Sequence, residues 1–150
     1  MSNSKHKILF VCIHNSARSL MAETFLKKYG SAYFDAESAG IEPGKLNPNV
    51  VEVMRQTGID ISGNSTQSVF DLFRKGRLYH AVITVCDEAS AESCPIFPGR
   101  VKRLAWSFAD PSTFTGSKEQ ILQKTALVRD QIEQKILQFV DEAKQLKFWI

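Results

Sequence analysis

Short, unbroken apolar runs alternate with segments of helical period along this chain, and no other feature narrows its fold so far. "KILFVC" (7–12) and "HAVITVC" (80–86) are too continuous for amphipathic helices and suit strands covered on both faces. "AYFDAESAG" (32–40) reads as another strand, and "RVKRLAWSF" (100–108) as a fourth whose charges gather at one end. Between them, "SLMAETFLKKYG" (19–30) sets Leu20, Phe25 and Leu26 at helical spacing and stops at Gly30. "NPNVVEVMRQTG" (47–58) has Asn47 at the cap position, Pro48 at the first helical position and Gly58 at the end, and "SVFDLFRKG" (68–76) suits a further short helix. From Lys118 to about Lys147, the residues Ile121, Leu122, Val128, Ile132, Ile136 and Val140 keep one apolar face. This alternation implies an α/β fold, a three-layer sandwich with a central four-stranded parallel sheet and helices on both faces. A length of 150 residues is that of one domain, so a single domain over 1–150 is expected.

Composition removes several classes of function. With 43% hydrophobic and 23% charged residues, the chain has the balance of a soluble globular protein rather than a disordered or fibrous one. Its net charge of +3 is modest, and the basic residues cluster only at "RKGR" (74–77) and "RVKR" (100–103). Small anions suit it better than nucleic acid, which is not expected as a partner. The first apolar run is too short for a signal sequence or a membrane span, so a cytoplasmic location with no membrane partner is expected. Three cysteines, an odd number, argue against a static disulfide framework and fit a reducing compartment where thiols do chemistry.

In sheets of this kind ligands bind beyond the carboxyl ends of the strands, and Cys12, Cys86 and Asp110 each follow a predicted strand. The segment from Cys12 to Ser19 reads C-x5-R-S and leads from the most apolar strand into a helix. Such a loop turns the backbone N–H groups of Ile13, His14, Asn15, Ser16, Ala17 and Arg18 toward an anion and adds the positive end of the helix dipole. Arg18 can grip two oxygens of a tetrahedral oxyanion, and the same field favours a thiolate at Cys12. Asn15 tolerates the left-handed backbone that the loop needs, and Ser19 is the helix-cap candidate and a donor to the sulfur. Taken alone, the same residues also suit an inert thiol and a surface arginine. Asp110-Pro111 can supply a proton to a leaving oxygen, or form an ordinary turn. Cys86 and Cys94 flank "DEASAES", which favours helix; a regular helix would hold them roughly 12 Å apart along its axis. A disulfide needs Cα atoms within about 7 Å, so pairing them requires the segment to unwind. The pair also suits two structural cysteines or a soft-metal site.

The C-x5-R-S loop resembles the signature loop of the low-molecular-weight protein tyrosine phosphatase superfamily, and "HNSARSLMAE" resembles its arsenate reductase branch. "SAGIEP", "GIDIS", "VCDEASAESCPIFPG" and "WSFADPSTFTG" extend that resemblance, in order, over essentially the whole chain. The resemblance implies a low-molecular-weight phosphatase-like fold and a relay of thiols. Cys12 attacks arsenate, Asp110 protonates the departing oxygen, Cys86 attacks Cys12 to leave a Cys12–Cys86 disulfide, and Cys94 passes it on as Cys86–Cys94 for thioredoxin to reduce. It implies no cofactor. Some members hold potassium through residues matching Asn15, Glu23 and Ser38, with an aspartate where this chain has Gln67. Two alternatives stay open, a phosphatase acting on phosphotyrosine and a redox or oxyanion sensor without turnover. Within "DPSTF" (110–114) Phe114 is the lone aromatic, where the phosphatase branch is richer.

Overall fold

A computed structural model describes residues 5–86 and 93–150. Strand β1 (His6–Cys12) leads through a loop into α1 (Arg18–Gly30), followed by β2 (Phe34–Gly40), α2 (Pro48–Arg55) and α3 (Val69–Arg74). Then come β3 (Ala81–Thr84), β4 (Lys102–Ala105), a single 3-10 turn (Pro111–Thr113) and the long helix α4 (Lys118–Ala143). The helix expected within "DEASAES" falls on residues 87–92, outside the described ones.

The four strands run parallel in the order β2-β1-β3-β4. Strand β1 lies between two neighbours, which is why "ILFV" is uniformly apolar and fully buried. Successive side chains of a strand point to opposite faces, and β1 feeds two separate cores in that way. Ile8, Phe10 and Cys12 pack with Met21 and Phe25 of α1, Val50 and Met54 of α2, and Val128, Ile132 and Ile136 of α4. Leu9 and Val11 pack on the other face with Val69 and Leu72 of α3, Tyr79 and Phe97. The three layers follow from this division.

Local chemistry explains where elements start and stop. Asn47 accepts from Asn49 N at 2.9 Å and Pro48 opens α2. Ser117 and Gln120 form a reciprocal capping box at the head of α4. Two boundaries differ from the pattern in the sequence. The apolar periodicity runs to about Lys147, yet α4 ends at Ala143, whose carbonyl accepts from Trp149 Nε1 at 2.7 Å. A short 3-10 turn (Leu146–Phe148) makes this reversal. The fourth strand is shorter than the pattern suggests, four residues that pair with β3 alone, and Lys102 and Arg103 are exposed on this edge.

The reversal of the C-terminus lays Trp149 flat on His6, with ring centroids 4.1 Å apart and planes 6° from parallel, while His80 meets His6 edge-on at 4.9 Å. Burial, and secondarily His80, holds His6 below the ordinary histidine value of 6.5. The unfolded chain therefore takes up a proton that the folded His6 resists, and stability falls as pH drops through 6.5 toward the lower folded value. Thermal melts between pH 7.5 and 5.5 should show this loss, and His6→Phe, which keeps an aromatic stack on Trp149, should flatten part of it. A second constraint lies at the other end of the sheet. A Cβ on Gly40 would stand 2.7 to 2.8 Å from backbone atoms of Ile13, His14 and Asn15. Gly40→Ala should cost about 1–3 kcal/mol through overpacking against an unyielding loop, and should weaken protection of the protein by phosphate in the same melts.

Candidate active site

The loop after β1 is shaped from outside. Carbonyls of Cys12, Ile13, His14 and Ser16 accept from Ile41 N, Glu42 N, Gly44 N and Asn47 N, at 2.7 to 3.1 Å. A peptide plane points its N–H opposite to its C=O, so the amides of Ile13, His14, Asn15 and Ala17 turn the other way, into the concave side. Asn15 N–H accordingly donates to Cys12 Sγ at 3.2 Å. Asn15 is buried at φ 55, the left-handed region, and is alone among the described non-glycine residues in having a positive φ. Gly40 lets the loop sit directly on the end of β2. The site therefore has Cys12 at the floor, with inward amides and Arg18 around it.

Ser19 is not the helix cap. Helix α1 starts at Arg18, after an Ala17 that makes no side-chain cap, and Ser19 sits inside the first turn. There its Oγ lies 2.9 Å from Cys12 Sγ and accepts from Asn15 Nδ2 at 2.8 Å. Arg18 is buried, donates through Nη1 to Phe108 O at 3.1 Å, and holds Nη2 3.5 Å from Asp110 Oδ2. Asp110 caps the 3-10 turn that follows it, its Oδ1 accepting from Ser112 N at 2.9 Å and Ser112 Oγ at 2.8 Å. The segment after β4 thus reaches the loop through one arginine.

His14 is exposed at the mouth, with Nδ1 2.9 Å from Glu42 O; a carbonyl only accepts, so Nδ1 carries the proton. Beside the mouth an open groove of about 530 Å³ is lined by His14, Ser16, Lys45, Asn47, Ser112 and Phe114, among others. Ile13 is half-buried and packs on the core that contains Cys12.

The cysteines are thiols, and all three are buried. Cys86 follows β3 by two residues and shares the Cys12 core; Val85 N donates to Val11 O at 2.9 Å, keeping the two strand ends together. Cys94 belongs to the core on the opposite face, packed with Leu72 and Phe97, and its Sγ donates weakly to Pro95 O at 3.6 Å. Burial pushes the Cys94 thiol above its ordinary range, with Arg103 opposing the shift.

Spacing alone did not reveal what lies behind the loop. Asn15 Oδ1 accepts from Gln67 N at 3.0 Å, Asn15 Nδ2 donates to Ser38 Oγ at 2.9 Å, and Ser38 Oγ donates to Glu23 Oε1. Gln67 Nε2 donates to Ser38 O at 2.8 Å, and Lys27 pairs with Glu23 Oε2. These are the residues that correspond to the potassium site of some phosphatase-fold reductases. Here the oxygens are already met by N–H and O–H donors and by an ammonium group, and Gln67 brings a donor where a carboxylate would be needed. The residues do not fit a potassium ion. Among the described residues no group of three His, Cys, Asp or Glu side chains could hold another metal.

Known proteins share the sequence and the fold. The arsenate reductase of Shouchella clausii is 41% identical over 139 residues, covering 92% of this chain and 97% of its own. A solved arsenate reductase in the oxidized state superposes with a TM-score of 0.75 at 26% identity, covering 91% of this chain and 97% of that one. The arsenate reductase from Archaeoglobus fulgidus gives 0.69 at 28%, covering 90% and 99%. The sequence profile named Low molecular weight phosphotyrosine protein phosphatase matches residues 7–147, and it is to this family that the chain belongs.

Proposed function

We propose that the protein is an arsenate reductase acting as a single catalytic domain in the cytoplasm. The observation that carries the reading is a second thiol, Cys86, in the same buried core as Cys12, the residue that opens the loop with inward amides. A phosphatase needs only the first thiol. Relatives at about 40% identity that bear the name arsenate reductase support the same choice.

The chemistry proceeds in three steps. Arsenate lies on the inward amides and Arg18, Cys12 thiolate attacks arsenic, and an S–As bond replaces an As–O bond. The oxygen leaves as water with a proton from Asp110, a role supported by its 3.5 Å approach to Arg18. Cys86 then attacks Cys12 Sγ; an S–S bond forms, the S–As bond breaks, and its electron pair stays on arsenic. Arsenic goes from the pentavalent to the trivalent state and leaves as arsenite. Finally Cys94 attacks Cys86, releasing Cys12 thiolate and leaving a Cys86–Cys94 disulfide. Cys94 begins in the opposite core, protonated by burial, so this last step requires it to leave that core. Thioredoxin, a dithiol reductant, then returns the pair to thiols. No nucleic-acid or membrane partner enters the cycle, and among the described residues no helix is long and apolar enough to cross a membrane.

The groove beside the mouth leaves room for a phosphomonoester, and slow phosphatase activity on small aryl phosphates accompanies the proposal. Phe114 is the phenyl ring that the groove presents, little for a phosphotyrosine ring to stack on.

Arsenate-dependent oxidation of NADPH in the presence of thioredoxin and its reductase tests the reading. Cys86→Ser and Cys94→Ser should both abolish continuous turnover. In a single turnover without reductant, Cys94→Ser should still release one arsenite per protein and Cys86→Ser none; sustained reduction by Cys86→Ser would overturn the assignment. Asp110→Asn should slow formation of the first adduct by about 100-fold, measured by rapid quench, while leaving arsenate affinity nearly unchanged.

A further inference from the structure

We infer that Arg103 is a positioning residue for Cys94: it brings a cation to the face of the sheet that encloses this thiol, and so supports its attack on Cys86. Side chains alternate between the faces of a strand, and the neighbours of Arg103 show which face it takes. Leu104 packs on the Cys12 core and Val101 on the Cys94 core, so Arg103, two residues beyond Val101, shares the Cys94 face. The register agrees. Arg103 pairs with Val82 of β3, and Val82 lies in the Cys94 core. Because β4 is the edge of the sheet, Arg103 stays exposed at the margin of that core, where a long basic side chain can keep its head in water. From there the guanidinium meets the Cys94 thiol both as a hydrogen-bond partner and as a charge.

The inference rests on the proposed relay, which uses Cys94 once. Its thiolate attacks Cys86 Sγ and an S–S bond forms; the Cys12–Cys86 bond breaks with its electron pair left on Cys12, and the proton of Cys94 passes to solvent. Burial opposes that ionisation and keeps the resting thiol protonated, its Sγ donating weakly to Pro95 O at 3.6 Å. A cation at the sulfur acts in the other direction. The other ionisable groups on this face are engaged elsewhere. Burial, reinforced by Glu37, keeps Tyr79 protonated; its hydroxyl donates to Glu37 Oε1 at 3.1 Å, and Arg77 lies 3.8 Å from Glu37 Oε2. Asp71 and Arg74 of α3 pair with each other. Among the described residues, Arg103 is therefore the charge that acts on Cys94.

Two measurements test it, the first without arsenate. The reduced protein is labelled with iodoacetamide near pH 8, and the peptides of Cys94 and Cys12 are followed by mass spectrometry in wild type, Arg103→Gln and Arg103→Lys. Cys94 of the Gln variant should react about fivefold more slowly, the effect of one cation about 4 Å away in water-like surroundings. The Lys variant should recover most of the rate, the gap should narrow in about 1 M KCl, and Cys12 should react alike in all three. In the second measurement, a single arsenate turnover, Arg103→Gln should release arsenite at the wild-type rate, since that step precedes Cys94, and form the Cys86–Cys94 disulfide about fivefold more slowly. Equal labelling of Cys94, a deficit shared by Cys12, a gap indifferent to salt and to lysine, or an unchanged rate of disulfide formation would each overturn the inference. A wild-type protein that releases no arsenite would instead sink the proposed function, and the labelling result would still stand as a property of Cys94.

Discussion

Asn15 joins the loop to three other segments through a single buried amide, and the shape of the site depends on that junction. Its side chain bonds Ser19 in α1, Ser38 in β2 and the backbone of Gln67 ahead of α3, while its own N–H reaches Cys12. A buried amide without partners costs several kcal/mol relative to water, about 2–7 depending on the reference. Here each polar atom is matched, and the matches hold a left-handed residue that an ordinary side chain would occupy only with strain. Replacing the amide by an apolar group would strip partners from three segments at once.

The sheet supplies the other half of the arrangement. Because β1 is flanked on both sides and buried on both faces, its end cannot shift without disturbing two cores. Cys12 is thereby fixed. The two faces of the sheet also separate the thiols, since Cys86 lies in the core on the Cys12 face and Cys94 in the other.

Much of this was legible in the sequence, for identifiable reasons. Strand β1, the strand before Cys86 and the helix after Arg18 announce themselves through local periodicity, and Asn47-Pro48 through capping chemistry. The proximity of Cys12, Asn15, Arg18 and Ser19 was legible because the four share one turn of chain. What spacing could not reveal were partners brought by topology: the Phe108 carbonyl on Arg18, the Gln67 amide on Asn15, and Gly40 beneath the loop. Glu23 and Ser38 came into view through family resemblance, whereas their bonding to Lys27 and Gln67 did not. Ser19 looked like a cap since serine commonly is one; its hydroxyl is engaged by sulfur and Asn15 instead. Apolar spacing continues past Ala143 and hides the end of α4, where Trp149 takes the last carbonyl.

The enclosure of Cys94 bears on how the protein survives between encounters with its substrate. Peroxides and other bulk oxidants attack the anionic form of sulfur, and further oxygenation to sulfinic acid is irreversible for most proteins. A sulfur kept protonated and dry behind Leu72 and Phe97 reacts slowly with them. The packing around Cys94 thus preserves its sulfur chemically intact.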